Sequence, residues 1–173
     1  MGHHPIRFGF IAGILQVCIS LVLYFINKDY FLAYGSLIQY IVFIYFMVLA
    51  TQAQKRDLNG FIILSEAFRP AWLTFILAAT IVSIFTFVLM NYIDPDLSTY
   101  FKELQLEAFE KASDLLKLSE SDKAAQKEVM KNSEPYGIKS LAFNLPFSFV
   151  VPGALFALII AAMIKKDPII NQA

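Results

Sequence analysis

Residues 71–93, AWLTFILAATIVSIFTFVLMNYI, contain no charged side chain. As a helix rising about 1.5 Å per residue, the stretch extends about 34 Å. A hydrocarbon core is about 30 Å thick, so it can cross with modest tilt. Its polar groups are Thr74, Thr80, Ser83 and Thr86, short hydroxyls able to bond back to carbonyls of their own helix. Asn91 and Tyr92 stand at the end, where a bilayer interface would place them. One such span makes lipid the solvent against which the other segments are judged.

The composition agrees. Of 173 residues 58% are hydrophobic and 16% charged, well below the roughly one-quarter charged residues of soluble domains. Seventeen Phe and eight Tyr suit lipid-facing helix surfaces, with Tyr at headgroup level. A net charge of zero points away from nucleic acid. The single cysteine, Cys18, has no intrachain disulfide partner and is expected to be a small buried apolar residue.

Three further uncharged segments follow the same pattern. Residues 8–26 form the first; their 19-residue apolar run is too long for a signal-peptide core and lacks a cleavage site, so the segment is expected to be retained. Met1-Gly2 fails as a myristoylation start because Ile6 stands where Ser or Thr is needed. His3-His4 lack the further ligands of a metal site. Gly9 and Gly13 make a GxxxG pair, expected to pack within the chain, and Gln16 and Ser20 share a face that can bond a neighbouring helix. The second span, 31–53, follows a minimal Asn27-Lys28-Asp29 loop and should lie antiparallel to the first; Gln39 in its middle needs a partner. The fourth, 141–164, carries Asn144, Pro146 and Pro152. Each proline removes a helical hydrogen bond, and interrupted helices line sites in many transporters, so these three residues form a candidate broken-helix site; simple kinking is the plainer expectation.

The connection 54–70, QKRDLNGFIILSEAFRP, has a basic stop at Lys55-Arg56 and a turn at Asn59-Gly60. Ser65 is expected to cap a helix opening with Glu66, and Glu66 and Arg69, three apart, form a candidate interfacial pair. After the third span, Asp94-Pro95 marks a strong helix start. Leu97, Phe101, Leu104, Ala108, Leu115 and Leu118 then recur at steps of four and three, apart from Lys111, defining an amphipathic helix of about 22 residues. Leu97, Phe101, Leu104, Ala108 and Leu115 are the candidate interaction residues. Ser119 begins a second, shorter helix that the 132–137 turn, NSEPYG, should end. The 94–140 insert holds seven Lys against ten acids and is expected to fold as a helical hairpin.

The loop KRDLNGFIILSEAFRP, the run NYIDPDL and the acidic helical insert resemble the domain-of-unknown-function 4199 family over nearly the whole chain. Asn59-Gly60-Phe61, Ser65-Glu66-Ala67-Phe68 and Ile93-Asp94-Pro95 carry the resemblance, which implies a setting in the inner membrane of Gram-negative bacteria and no particular activity. The expected fold is an all-α membrane protein: one membrane domain over 1–173, four transmembrane helices, and an extracytoplasmic amphipathic hairpin between the third and fourth. Arg7, Lys55, Arg56, Arg69, Lys165 and Lys166 fall on one side of such a topology and Lys28 on the other, which puts both termini in the cytoplasm; the insert's lysines count against this if taken in full.

Four spans without Asp, Glu, Lys, Arg or His lack the intramembrane charges on which proton relays and ion-coupled carriers depend. No HExxH, GxSxG or Walker sequence is present, so neither an enzyme nor a cofactor is expected. The reading left is a structural or interaction module whose partners are the lipid bilayer and a second copy or another membrane protein. A small-solute transporter or channel component using the Pro-broken fourth helix is the alternative.

Overall fold

The computed structural model describes residues 3–116, 118–134 and 136–166. Met1-Gly2 and the Pro135 position of the 132–137 turn therefore lie outside the described residues. The elements are helical throughout: α1 (His4–Ile26), α2 (Lys28–Asp57), α3 (Leu64–Val88), α4 (Pro95–Leu115), α5 (Glu120–Asn132), α6 (Ile138–Ser148) and α7 (Ala154–Ile164). A π-helical turn, Leu89–Ile93, extends α3, and another, Phe149–Gly153, joins α6 to α7. Four stretches are long and apolar enough to cross a membrane: His4–Ile26, Lys28–Asp57, Leu64–Ile93 and Ile138–Ile164.

The helix ends follow from local chemistry. A single residue, Asn27, separates α1 from α2, and its Oδ1 accepts the Asp29 N–H at 2.7 Å as an N-cap. At the far end of α2, the Gly60 N–H returns to the Lys55 carbonyl (2.9 Å) and the Asn59 N–H to that of Arg56 (3.1 Å). This is the Schellman pattern, and it needs the left-handed φ of 54° at Asn59. Ser65 does not cap α3. The helix starts at Leu64, so Glu66 is its third residue and reaches back to the Ile63 N–H at 3.3 Å, one half of a capping box. In the insert, Pro95 opens α4 after Asp94, and Ser119 Oγ caps α5 through the Asp122 N–H at 3.2 Å.

Contacts divide the chain into two compact units, where sequence alone treats it as one domain. Of the described residues, the first unit comprises those up to 84 together with those from 144 onward, and the second those between 85 and 143.

The first unit is built around α3. Its core joins Ala12 of α1, Phe43, Phe46 and Met47 of α2, Ala71, Phe75, Ala78, Ala79 and Val82 of α3, and Ala157 and Ile160 of α7. Along the third span 39% of the most apolar window is buried, against 17% along the second, so α3 is the enclosed helix and α2 a peripheral one. Small residues admit this packing. A Cβ on Gly9 would lie 2.8 Å from Leu77 Cβ, one on Gly13 2.8 Å from Ile81 Cδ1, and one on Gly153 2.6 Å from Phe75 Cδ1. The GxxxG pair thus seats α1 on α3, within the chain. Phe75 meets Phe43 edge-on, with ring centroids 5.5 Å apart.

Polar groups inside the spans are mostly satisfied. Thr51, Thr74 and Thr80 donate to the carbonyls of Met47, Pro70 and Ile76 at 2.8–2.9 Å. Gln16 is fully buried and donates from Nε2 to Gly35 O of α2 (3.3 Å) and Ser20 Oγ (3.4 Å); its Oε1 has no partner among the described residues. Gln39 is half-buried, one turn beyond Gly35 on the same face of α2. Cys18 is exposed, contrary to expectation. It lies off the face of α1 that carries buried Gly9, Ala12, Gly13, Gln16 and Ser20.

The glycine contacts predict opposite responses to one small change. Gly9→Ala and Gly13→Ala should each cost about 1–3 kcal/mol through overpacking. Gly35→Ala, whose added Cβ meets only Phe31 Cδ2 at 3.9 Å, should be neutral or stabilise by up to about 1 kcal/mol. Melting midpoints in detergent decide this, and equal behaviour of all three variants would remove the account of the GxxxG contact.

Candidate functional site

The clearest constellation is at the end of the first unit where α2 stops and α7 stops. His4 Nε2 and Asp57 Oδ2 are 2.9 Å apart, joining the start of α1 to the last residue of α2. Lys55 Nζ donates to the Ile164 carbonyl at 2.7 Å, placing a cation against the C-terminal end of α7. Ile62 and Lys166 form an antiparallel bridge, each N–H meeting the other's carbonyl at 2.9–3.0 Å. The Lys166 ammonium lies over the Phe61 ring, 5.2 Å from its centroid. Three elements distant in sequence are thus tied together. The Asn59-Gly60-Phe61 and Ser65-Glu66-Ala67-Phe68 stretches both belong to this knot. Glu66 turns to the Ile63 N–H, no ion pair joins it to Arg69 among the described residues, and Arg69 is exposed.

The broken fourth helix is arranged differently. Asn144 and Pro146 are exposed and Pro152 is half-buried, so the three candidate residues are not gathered into one site. The polar contact here comes from elsewhere: Trp72 Nε1 donates to the Phe149 carbonyl at 3.0 Å. That carbonyl also receives the Ala154 N–H across the π turn. It is next to Ser148, whose carbonyl loses its ordinary partner to Pro152. Nothing in the sequence ties residue 72 to residue 149, although a lone Trp inside a span is itself a group in need of an acceptor.

In the second unit α4 and α5 run antiparallel. Lys102 Nζ meets the Lys131 carbonyl at 2.6 Å, Lys127 meets Glu110 at 2.7 Å, and Lys123 meets both Asp114 and Glu120 at 2.9 Å. The candidate interaction residues separate along α4. Leu97 is buried, and α4 packs on the π turn Leu89–Ile93. Phe101 lies against the Tyr136 ring at 5.2 Å, and burial pushes the Tyr136 phenol up to about 12. Leu104 is half-buried and Ala108 exposed. Leu115 is 84% exposed, beside Leu116 at 71%. Asn91 Nδ2 bonds the carbonyls of Phe87 and Tyr136, each at 2.8 Å, fastening the third span's end to the start of the fourth. The Lys123 ammonium, hydrogen-bonded to Asp114, holds that carboxyl below its usual 3.8, and Lys111 does the same for Glu107.

Among the described residues, no three His, Cys, Asp or Glu side chains gather where a metal ion could sit. Four long apolar helices, a polar two-helix insert and a basic knot are the make-up of a polytopic membrane protein. The chain belongs to the family described as "Protein of unknown function (DUF4199)", whose profile matches residues 7–166. No curated protein and no solved structure matches it.

Two measurements test these contacts. Trp72→Phe keeps an aromatic ring beside Phe68 but deletes the donor to Phe149 O; it should cost about 1 kcal/mol, read as a fall in the melting midpoint in detergent, and an unchanged midpoint would show the bond to be idle. For the insert, a carboxylate held low contributes fully above its unfolded value and loses that contribution as pH falls through the folded one. Hydrogen exchange in α4 and α5 should therefore accelerate as pH drops below 3.8, beyond the intrinsic pH effect, and Lys123→Ala should shrink this acid step, leaving the part that Glu107 and Lys111 supply. An acid step of unchanged size in Lys123→Ala would assign it to other groups.

Proposed function

We propose that this chain is an integral membrane protein acting as a structural or interaction module, with α4 and α5 presented on the extracytoplasmic side. The observation that carries the reading is the outward apolar surface of the long apolar helices. Phe10 and Ile14 on α1, Leu37 and Ile41 on α2, and Leu155 and Ile159 on α7 all stand exposed, which water would penalise and lipid would not. The orientation, with both termini cytoplasmic, is supported by the basic knot at one end. It is also supported by the state of the insert's lysines: Lys102, Lys111, Lys123 and Lys127 are each engaged by a carboxylate or a carbonyl. The family resemblance supports a setting in the inner membrane of a Gram-negative bacterium.

The contact surface we assign is the exposed end of the α4 stripe, Ala108, Leu115 and the adjoining Leu116, since Leu97 and Phe101 are engaged within the unit. Its partner is a second copy or another membrane protein; no catalytic step belongs to this proposal. The Trp72 bond at the π turn supports a packing role for the broken fourth helix in preference to a transport site.

A photo-crosslinking residue at position 115 in native membranes should capture a protein adduct, and Leu116→Glu should reduce its yield several-fold. Absence of an adduct, or an unchanged yield, overturns the interaction role. A periplasm-dependent reporter inserted after Ser119 should be active and one after Asn59 silent; the reverse pattern overturns the orientation.

A further inference from the structure

Among the described residues the acids of the basic knot are engaged while several of its cations are not. Asp57 is held by His4, and Glu66 is turned to the Ile63 N–H. Lys55 is engaged by the Ile164 carbonyl and Lys166 by the Phe61 ring. Arg7, Arg56, Arg69 and Lys165 are exposed and pair with no anion among the described residues. Each nevertheless stands on a fixed frame. Arg56 lies between Lys55 and Asp57, both tied to other helices, and Lys165 lies between Ile164 and Lys166, both tied to the 55–62 segment. Arg7 is one turn from His4, about 4.5 Å along the axis. Arg69 is one turn from Glu66, on the part of α3 where Thr74 Oγ1 approaches the Pro5 carbonyl at 3.4 Å.

We infer that Arg7, Arg56, Arg69 and Lys165 form a basic rim that docks the phosphate headgroups of anionic phospholipids. Charge complementarity selects this occupant. Cations at the ends of apolar helices lie level with lipid phosphates, and guanidinium groups pair with phosphate oxygens through two parallel hydrogen bonds. The frame supplies preorganisation, so the headgroup meets charges whose backbones are already immobile. The inference rests on the membrane reading above, since a rim without a bilayer edge has no headgroup to meet.

Native mass spectrometry of the full chain in detergent, with phosphatidylglycerol or phosphatidylcholine added, tests it. Wild-type protein should retain phosphatidylglycerol in clear preference, and the preference should shrink as salt rises. Arg56→Gln and Lys165→Gln should each lower it roughly fivefold, and the fourfold Arg7→Gln, Arg56→Gln, Arg69→Gln, Lys165→Gln variant should remove it. Lys123→Gln, in the insert, should leave it unchanged. Should the fourfold variant fail to fold, the single variants decide. Equal retention of the two lipids by wild type, or a preference indifferent to these substitutions, overturns the rim. Alkaline carbonate washing of native membranes separates the two levels: release of the chain overturns the membrane reading and the rim with it, whereas retention without lipid preference overturns the rim alone.

Discussion

A helix carbonyl that loses its partner in hydrocarbon has no water to replace it, and this constraint shapes the apolar part of the chain. Pro152 breaks the ladder of the fourth span, and the break is handled by rewinding: a π turn brings the Ala154 N–H back to Phe149 O, and the Trp72 indole adds a second donor from α3. Thr51, Thr74 and Thr80 obey the same rule, each returning its hydroxyl to a carbonyl one turn earlier. Gln16 Oε1 is the exception among the described residues. Its amide nitrogen reaches across to Gly35, so the side chain joins α1 to α2 while its carbonyl oxygen finds no partner among the described residues. Such an atom costs on the order of 1–3 kcal/mol, which the packing around it must offset.

Close approach is the second half of the same economy. Lipid tails are as apolar as leucine, so helices in a bilayer gain little from hydrophobicity and must gain from contact. Gly9, Gly13 and Gly153 bring α1 and the fourth span onto α3 at distances no larger residue allows. Phe75 occupies the space so created, touching Phe43 on one side and lying over Gly153 on the other. The central place of α3 therefore comes from a large ring matched to small partners.

The four long apolar helices, the Asn27 turn, the Asn59-Gly60 stop and the Asp94-Pro95 start were legible from residue type alone, since each depends on neighbours within a few positions. Errors arose where the partner is distant or the register shifts. Ser65 looks like a cap because Ser before Glu commonly is, yet the bridge between Ile62 and Lys166 lets α3 begin at Leu64, and Glu66 then serves instead. Cys18 looks buried because its segment is apolar, but in a span both faces are apolar and hydrophobicity no longer reports inside from outside. His4 with Asp57 and Lys55 with Ile164 join residues 53 and 109 apart, and no periodicity carries such information.

The chain's charges lie in two sets that differ in what they can still do. In the insert, lysines and acids face one another across two antiparallel helices, so the local field is largely spent within the pair. In the basic knot, hydrogen bonds to a histidine and to a backbone amide engage Asp57 and Glu66, while the arginines meet no anion among the described residues. A set of charges that has neutralised itself can stiffen a fold but attracts little from outside. One that has not must find its counter-ions in the surroundings, and beside apolar helices those are headgroups. On the proposed reading the insert is left with its exposed apolar tip, Leu115 and Leu116, as a means of recognition, and the knot with its charge.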